Sequence, residues 1–155
     1  MPAKPLDVGD KAPDFALLST TGQTLRLADY LGKQRVVLYF YPRDNTPGCT
    51  KEACSFRDNL AAIQAKGAVV LGVSPDSQAA HQKFTDKFQL NFPLLVDADK
   101  QTAQAYGAYG EKTNYGKTTL GIIRKTFVIG LDGKIAYADH KVKTEAHAEA
   151  ILQKL

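Results

Sequence analysis

The chain is short of the residues that would mark a membrane protein, a metal centre or a nucleic-acid binder. Its 155 residues include only two cysteines and three histidines. No stretch approaches the roughly 18 consecutive apolar residues of a membrane-spanning helix. The opening Met1-Pro2-Ala3-Lys4-Pro5-Leu6-Asp7 has no apolar core, so no signal peptide is expected and the cytoplasm is the expected location. The 20 basic residues are scattered among 16 acidic ones, with no run of five like charges. The net charge of +4 therefore reads as a solvated basic surface rather than a nucleic-acid interface. A zinc site takes about four ligands. His81, His140 and His147 lie far from the cysteines with no ligand spacing among them, so no metal or cofactor is expected, and all three are expected to be exposed. A structural disulfide is rare in a cytoplasmic protein.

What remains is an ordinary globular composition, 44% hydrophobic and 23% charged, which predicts one domain over residues 1–155. Asp14–Leu18 and Leu25–Leu27 flank Thr20-Thr21-Gly22 and predict an N-terminal hairpin. Arg35–Tyr41 is a near-continuous apolar and aromatic run, as in a strand buried on both faces. A polar loop follows Pro42, then a helix from about Pro47 to Lys66, stopped by Gly67. Ala68–Val73 predicts a second buried strand, Ser77–Phe88 a helix, Phe92–Val96 a short strand and Lys100–Tyr106 a short helix. Phe84, Phe88 and Phe92 are expected in the core. Gly110–Gly121 is polar and reads as a long surface loop. Arg124–Ile129 and Lys134–Ala138 form a hairpin across Asp132-Gly133, and Thr144–Leu155 a final helix. Alternating strands and helices with a late antiparallel hairpin predict an α/β, thioredoxin-like fold. Its mixed central sheet carries helices on both faces and an N-terminal β-hairpin.

The two cysteines sit in Cys49-Thr50-Lys51-Glu52-Ala53-Cys54. Thr46 is a suitable helix cap and Pro47 a suitable first residue, so Cys49 falls in the first helical turn. Free backbone N–H groups and the helix dipole there favour a thiolate. Residues five apart in an intact helix have Cα atoms roughly 8–9 Å apart. A disulfide needs about 7 Å or less. If Cys49 and Cys54 pair, the first turns must unwind, which suits a redox cycle better than a staple.

Pro42-Arg43-Asp44-Asn45-Thr46-Pro47-Gly48-Cys49 fits the peroxiredoxin pattern of Pro, three residues, Thr, two residues and Cys. Thr46–Cys54 resembles the Q-type subgroup, also called bacterioferritin comigratory protein. Gly121–Ile129 resembles the segment that carries that family's arginine, and Gly9–Phe15 its opening. Gly130 departs from the acidic residue expected there. The resemblance implies a thioredoxin-like fold and peroxidase activity toward hydrogen peroxide and organic hydroperoxides. It implies Cys49 as the peroxidatic nucleophile and Cys54 as the resolving thiol that closes an intramolecular disulfide. Thr46 would hydrogen-bond thiolate and peroxide, Arg124 would stabilise charge, and Pro42 would shield the pocket. Thioredoxin or a similar dithiol is the implied reductant, and the subgroup suggests a monomer. On the residues alone, an arginine opening a strand is ordinarily a surface charge. Glu52 reads equally as a partner for an arginine or as an exposed acid at the helix start.

Other classes remain open at this level. A thioredoxin-like thiol–disulfide oxidoreductase usually has two residues between its cysteines, where this chain has four. A thioredoxin-like copper carrier binds Cu(I) through paired cysteines, usually with a histidine that no motif places here. Peroxide turnover with a thiol reductant separates the first reading from these.

Overall fold

The computed structural model describes residues 6–114 and 116–155. The expected N-terminal hairpin is β1 (Ala16–Leu18) paired antiparallel with β2 (Thr24–Arg26). Then come β3 (Arg35–Phe40), α1 (Pro47–Ala65), β4 (Ala68–Ser74), α2 (Gln78–Phe88), β5 (Leu94–Val96) and α3 (Gln101–Ala105). The chain continues through β6 (Tyr109–Asn114), β7 (Lys117–Ile122), β8 (Lys125–Ile129), β9 (Ile135–Asp139) and α4 (His147–Leu152).

The five strands of the main sheet run in the order β5-β4-β3-β8-β9. β3, β4 and β5 are parallel, while β8 and β9 add antiparallel partners. This is the mixed sheet expected from the strand and helix order. The central strand β3 feeds both faces by simple alternation. Val37, Tyr39 and Tyr41 enter the layer under α1, α2 and α4, with Phe56, Ile63, Phe84, Phe92 and Ile151. Val36, Leu38 and Phe40 enter the opposite layer with Phe15, Ala103, Tyr106 and Phe127. Phe84 and Phe92 are buried and Phe88 packs against them, as expected.

Two local expectations are corrected. Gly110–Gly121 is not a loop but most of the β6–β7 hairpin, paired from Tyr109↔Ile122 to Asn114↔Lys117. Its polar sequence hid it, because this two-stranded ribbon keeps most of its described β7 side chains exposed. Its turn residue Tyr115 lies outside the described residues. The final helix is shorter than Thr144–Leu155, starting only at His147 after Ala146 in a left-handed conformation at φ 53°. Gly67 stops α1 with φ 77°, and Gly133 makes the β8–β9 turn with φ 81°, conformations that glycine adopts without strain.

Candidate active site

Helix α1 leaves the carboxyl end of β3 through the loop at 42–46, an edge where open α/β sheets place their sites. Thr46 occupies the cap position with extended backbone, and its carbonyl accepts the first helical bond from Thr50 N at 2.8 Å. Its hydroxyl does not cap the helix. It donates instead to the Arg43 carbonyl at 3.1 Å, which ties the loop to itself. Pro47 is the first helical residue and Cys49 the third. Pro42 is partly buried at the start of the loop.

Helical spacing decides what lies beneath this turn. Cys49, Glu52, Ala53, Phe56, Leu60 and Ile63 are the buried residues of α1, following the i, i+3, i+4, i+7 stripe. Cys49 is only 1% exposed, while Cys54 is off the stripe and half-buried, and both are free thiols. Cys54 borders an open groove between α1 and α4 with Lys51, Asp58, Glu145 and Glu149.

Arg124, in the short link between β7 and β8, is 24% exposed and is not a free surface charge. Its guanidinium lies directly over Gly48, the residue before Cys49. A Cβ on Gly48 would fall 2.9 Å from Arg124 Nη2. The glycine thus gives the cation room against the helix start. Arg124 Nη1 donates to Glu52 Oε1 at 3.2 Å.

Glu52 is fully buried, and the structure decides between the two readings of it in favour of the arginine partner. Burial pushes its carboxyl up to about 8, outweighing the pull of Arg124 toward the charged form. At neutral pH the acid is therefore largely protonated. Its hydrogen bond orients the guanidinium over the helix start.

The histidine expectation fails at two of the three positions. His147 is 2% exposed, with Nε2 2.8 Å from Thr126 Oγ1 and 3.7 Å from Glu52 Oε2. Burial lowers its basicity, and the Arg124 cation nearby lowers it further. Its ring also meets Phe56 edge-on at 5.5 Å. His81 is fully buried and paired with Asp44. Only His140 keeps substantial exposure, its side chain being 32% accessible. Position on a stripe points to Glu52 in the sequence. No local signal points to His147 or His81, whose burial depends on α4 and α2 docking against α1 and the loop at 42–46.

The chain matches the AhpC/TSA family over residues 8–138. This protein is a peroxiredoxin of that family. The peroxiredoxin is 47% identical to peroxiredoxin Bcp of Bacillus subtilis over 150 residues, covering 97% of this chain and 95% of the relative. A Helicobacter pylori relative described as a putative peroxiredoxin bcp is 49% identical, with 97% and 98% covered. Among solved structures, a peroxiredoxin Q variant of Xylella fastidiosa superposes with a TM-score of 0.90 at 37% identity, covering 98% and 96%. The Xanthomonas campestris bacterioferritin comigratory protein, described for its alkyl peroxide reduction activity, gives 0.86 at 38%, covering 96% and 94%. The thioredoxin-like peroxiredoxin fold is thereby established, and with it a thiol-dependent peroxidase that takes a hydroperoxide and a thiol reductant. Among the described residues no helix is long and apolar enough to cross a membrane.

Proposed function

We propose that Cys49 is the peroxidatic thiol of this peroxidase and Cys54 its resolving partner. The observation that supports this most directly is Cys49 in the first turn of α1 with the Arg124 guanidinium packed on the adjoining Gly48. The Cys49 thiolate attacks the terminal oxygen of the hydroperoxide. The O–O bond breaks, Cys49 becomes a sulfenic acid, and the departing alkoxide or hydroxide takes a proton and leaves as alcohol or water. Arg124 stabilises the negative charge that moves from sulfur to the leaving oxygen. Thr46, whose hydroxyl proton is held by the Arg43 carbonyl, accepts from the peroxide O–H, and Pro42 limits water at the mouth of the pocket. Cys54 as thiolate then attacks the sulfenic sulfur, expelling hydroxide and closing an intramolecular disulfide. Two thiols of the donor restore both cysteines.

The substrates are hydrogen peroxide and organic hydroperoxides, and the donor is a dithiol protein such as thioredoxin. The protein works as a cytoplasmic monomer of one domain spanning residues 1–155, without nucleic-acid or membrane partners. Titrating free thiols before and after one equivalent of peroxide tests the scheme. Two thiols should disappear per peroxide consumed, with a Cys49–Cys54 crosslink inside one chain. A crosslink found only between chains would remove Cys54 from its role.

A further inference from the structure

The loop at 42–46 is held by a buried polar cluster that plays no part in the chemistry above. Asp44 lies between Pro42 and Thr46 with its side chain 5% exposed, and His81 of α2 is fully buried beside it. Asp44 Oδ1 accepts from the Tyr41 hydroxyl at 2.6 Å, and Oδ2 sits 2.6 Å from His81 Nδ1. The Asp44 backbone N–H donates to Asp76 Oδ2 at 2.8 Å, and Ser74 Oγ donates to that same oxygen at 2.6 Å. His81 Nε2 lies 2.9 Å from the Leu95 carbonyl. A carbonyl only accepts, so Nε2 carries a proton, and Nδ1 shares one with Asp44.

Asp44, Asp76 and His81 bring their ligand-type atoms within 4.8 Å of one another, as a cation site would. Here those atoms are already engaged with each other and with Tyr41, Ser74, Leu95 and the loop backbone. The cluster is a hydrogen-bonded clasp. It joins the loop to Tyr41 just after β3, to Ser74 at the end of β4, to Leu95 of β5 and to α2. Immediately after the clasp, Asn45 takes a left-handed turn at φ 60°, and Lys87 of α2 donates to its side chain at 3.2 Å. Thr46 follows and bonds back across the turn to Arg43. Asp44 is thus the fixed point from which the direction of the Thr46 hydroxyl is set.

A buried polar pair of this kind contributes little net stability, since desolvation offsets its attraction, and a defined geometry is one thing such pairs can supply. We propose that Asp44 and His81 are positioning residues of the peroxidase, acting through Thr46 on the peroxide and touching neither substrate nor sulfur. This rests on Cys49 being the peroxidatic thiol.

The test compares Asp44→Asn with Asp44→Ala, in otherwise unaltered protein, by quenched-flow mass spectrometry of Cys49 oxidation. Asparagine can accept from Tyr41 and donate to a neutral His81 Nδ1, so it preserves the clasp. It should react with hydrogen peroxide within about threefold of the parent. Alanine empties the clasp and should react about tenfold or more slowly, as misplacement of catalytic groups does. Iodoacetamide, which needs a thiolate but no positioned hydroxyl, should alkylate Cys49 in the alanine variant at least one-third as fast as in the parent. Should Asp44→Ala not fold, Asp76→Ala opens the same clasp from its partly exposed side and should show the same split between peroxide and iodoacetamide. Peroxide rates unchanged by the alanine variant, an asparagine variant as slow as alanine, or parallel losses with both reagents would each overturn the proposal. Peroxide consumption surviving in Cys49→Ser would instead refute the underlying assignment, whatever the Asp44 variants do.

Discussion

Closing the Cys49–Cys54 disulfide should unwind the start of α1 and leave an oxidised protein less stable than the reduced one. The six residues from Cys49 to Cys54 are helical in the reduced state, and their terminal Cα atoms would have to approach by roughly 2 Å to bond. Unwinding pulls at the segment where α4 is fastened. Ser55 Oγ accepts from Ala148 N at 3.0 Å, His147 meets the Phe56 ring, and Phe56 is fully buried. Exposing Phe56 costs about 2–3 kcal/mol. The edge-to-face contact adds about 1 kcal/mol, and the Ser55 bond with one or two helical bonds adds about 2 kcal/mol. Against this, the closed loop restricts the unfolded chain by about 2 kcal/mol. The net loss is about 3–4 kcal/mol, or roughly 10 °C in Tm for a domain of this size. Thermal melts of reduced and peroxide-treated protein measure the shift, and amide hydrogen exchange locates it. Protection should fall over 47–56 and in α4, and hold in β3 and β4. An intramolecular disulfide with unchanged protection over 47–56, or with a raised Tm, would refute the reasoning.

Replacing Cys49 with Ser should abolish peroxidase turnover in a coupled assay with a dithiol donor. Arg124→Ala should keep a cooperative melt yet slow Cys49 oxidation about 100-fold, the usual loss for one charge-stabilising donor. Gly48→Ala separates rate from stability. Alanine favours a helix over glycine by about 1 kcal/mol, but its Cβ would push Arg124 Nη2 from its seat, so the Tm should hold or rise while the peroxide rate falls. Glu52 has a sign-specific signature. Its folded-state value of about 8 lies above the ordinary 4.5, so the native state holds more protons between these limits and stability falls as pH rises from about 4.5 to 8. Glu52→Gln cannot ionise, so melts across that range should show a shallower pH dependence. An identical slope in parent and variant would show that Glu52 does not titrate there.

Much of this architecture follows from local patterns. The apolar run at Val36–Tyr41, the Thr46-Pro47 start and Gly67 stop of α1, the Ser77 start of α2 and the Asp132-Gly133 turn each act within a few residues. All appear at or near their expected places. The spacing of Cys49 and Cys54 is likewise a property of the sequence, and so is the unwinding that a disulfide between them would demand. The β6–β7 ribbon was not legible, because exposed polar strands lack the alternation that marks a half-buried one. The polar interior was not legible either. Glutamate ordinarily faces water and histidine has no fixed preference, so the stripe hints at Glu52 and nothing local marks His81 or His147. All three are buried here because α1, α2 and α4 close over them and because Arg124, Asp44 and Thr126 arrive from distant parts of the chain. Burial raises the Glu52 carboxyl against the pull of Arg124, while long-range pairing seats the Arg124 cation over Gly48 and clamps the loop before Cys49. No window of sequence contains both partners of these contacts, so only the folded chain decides them.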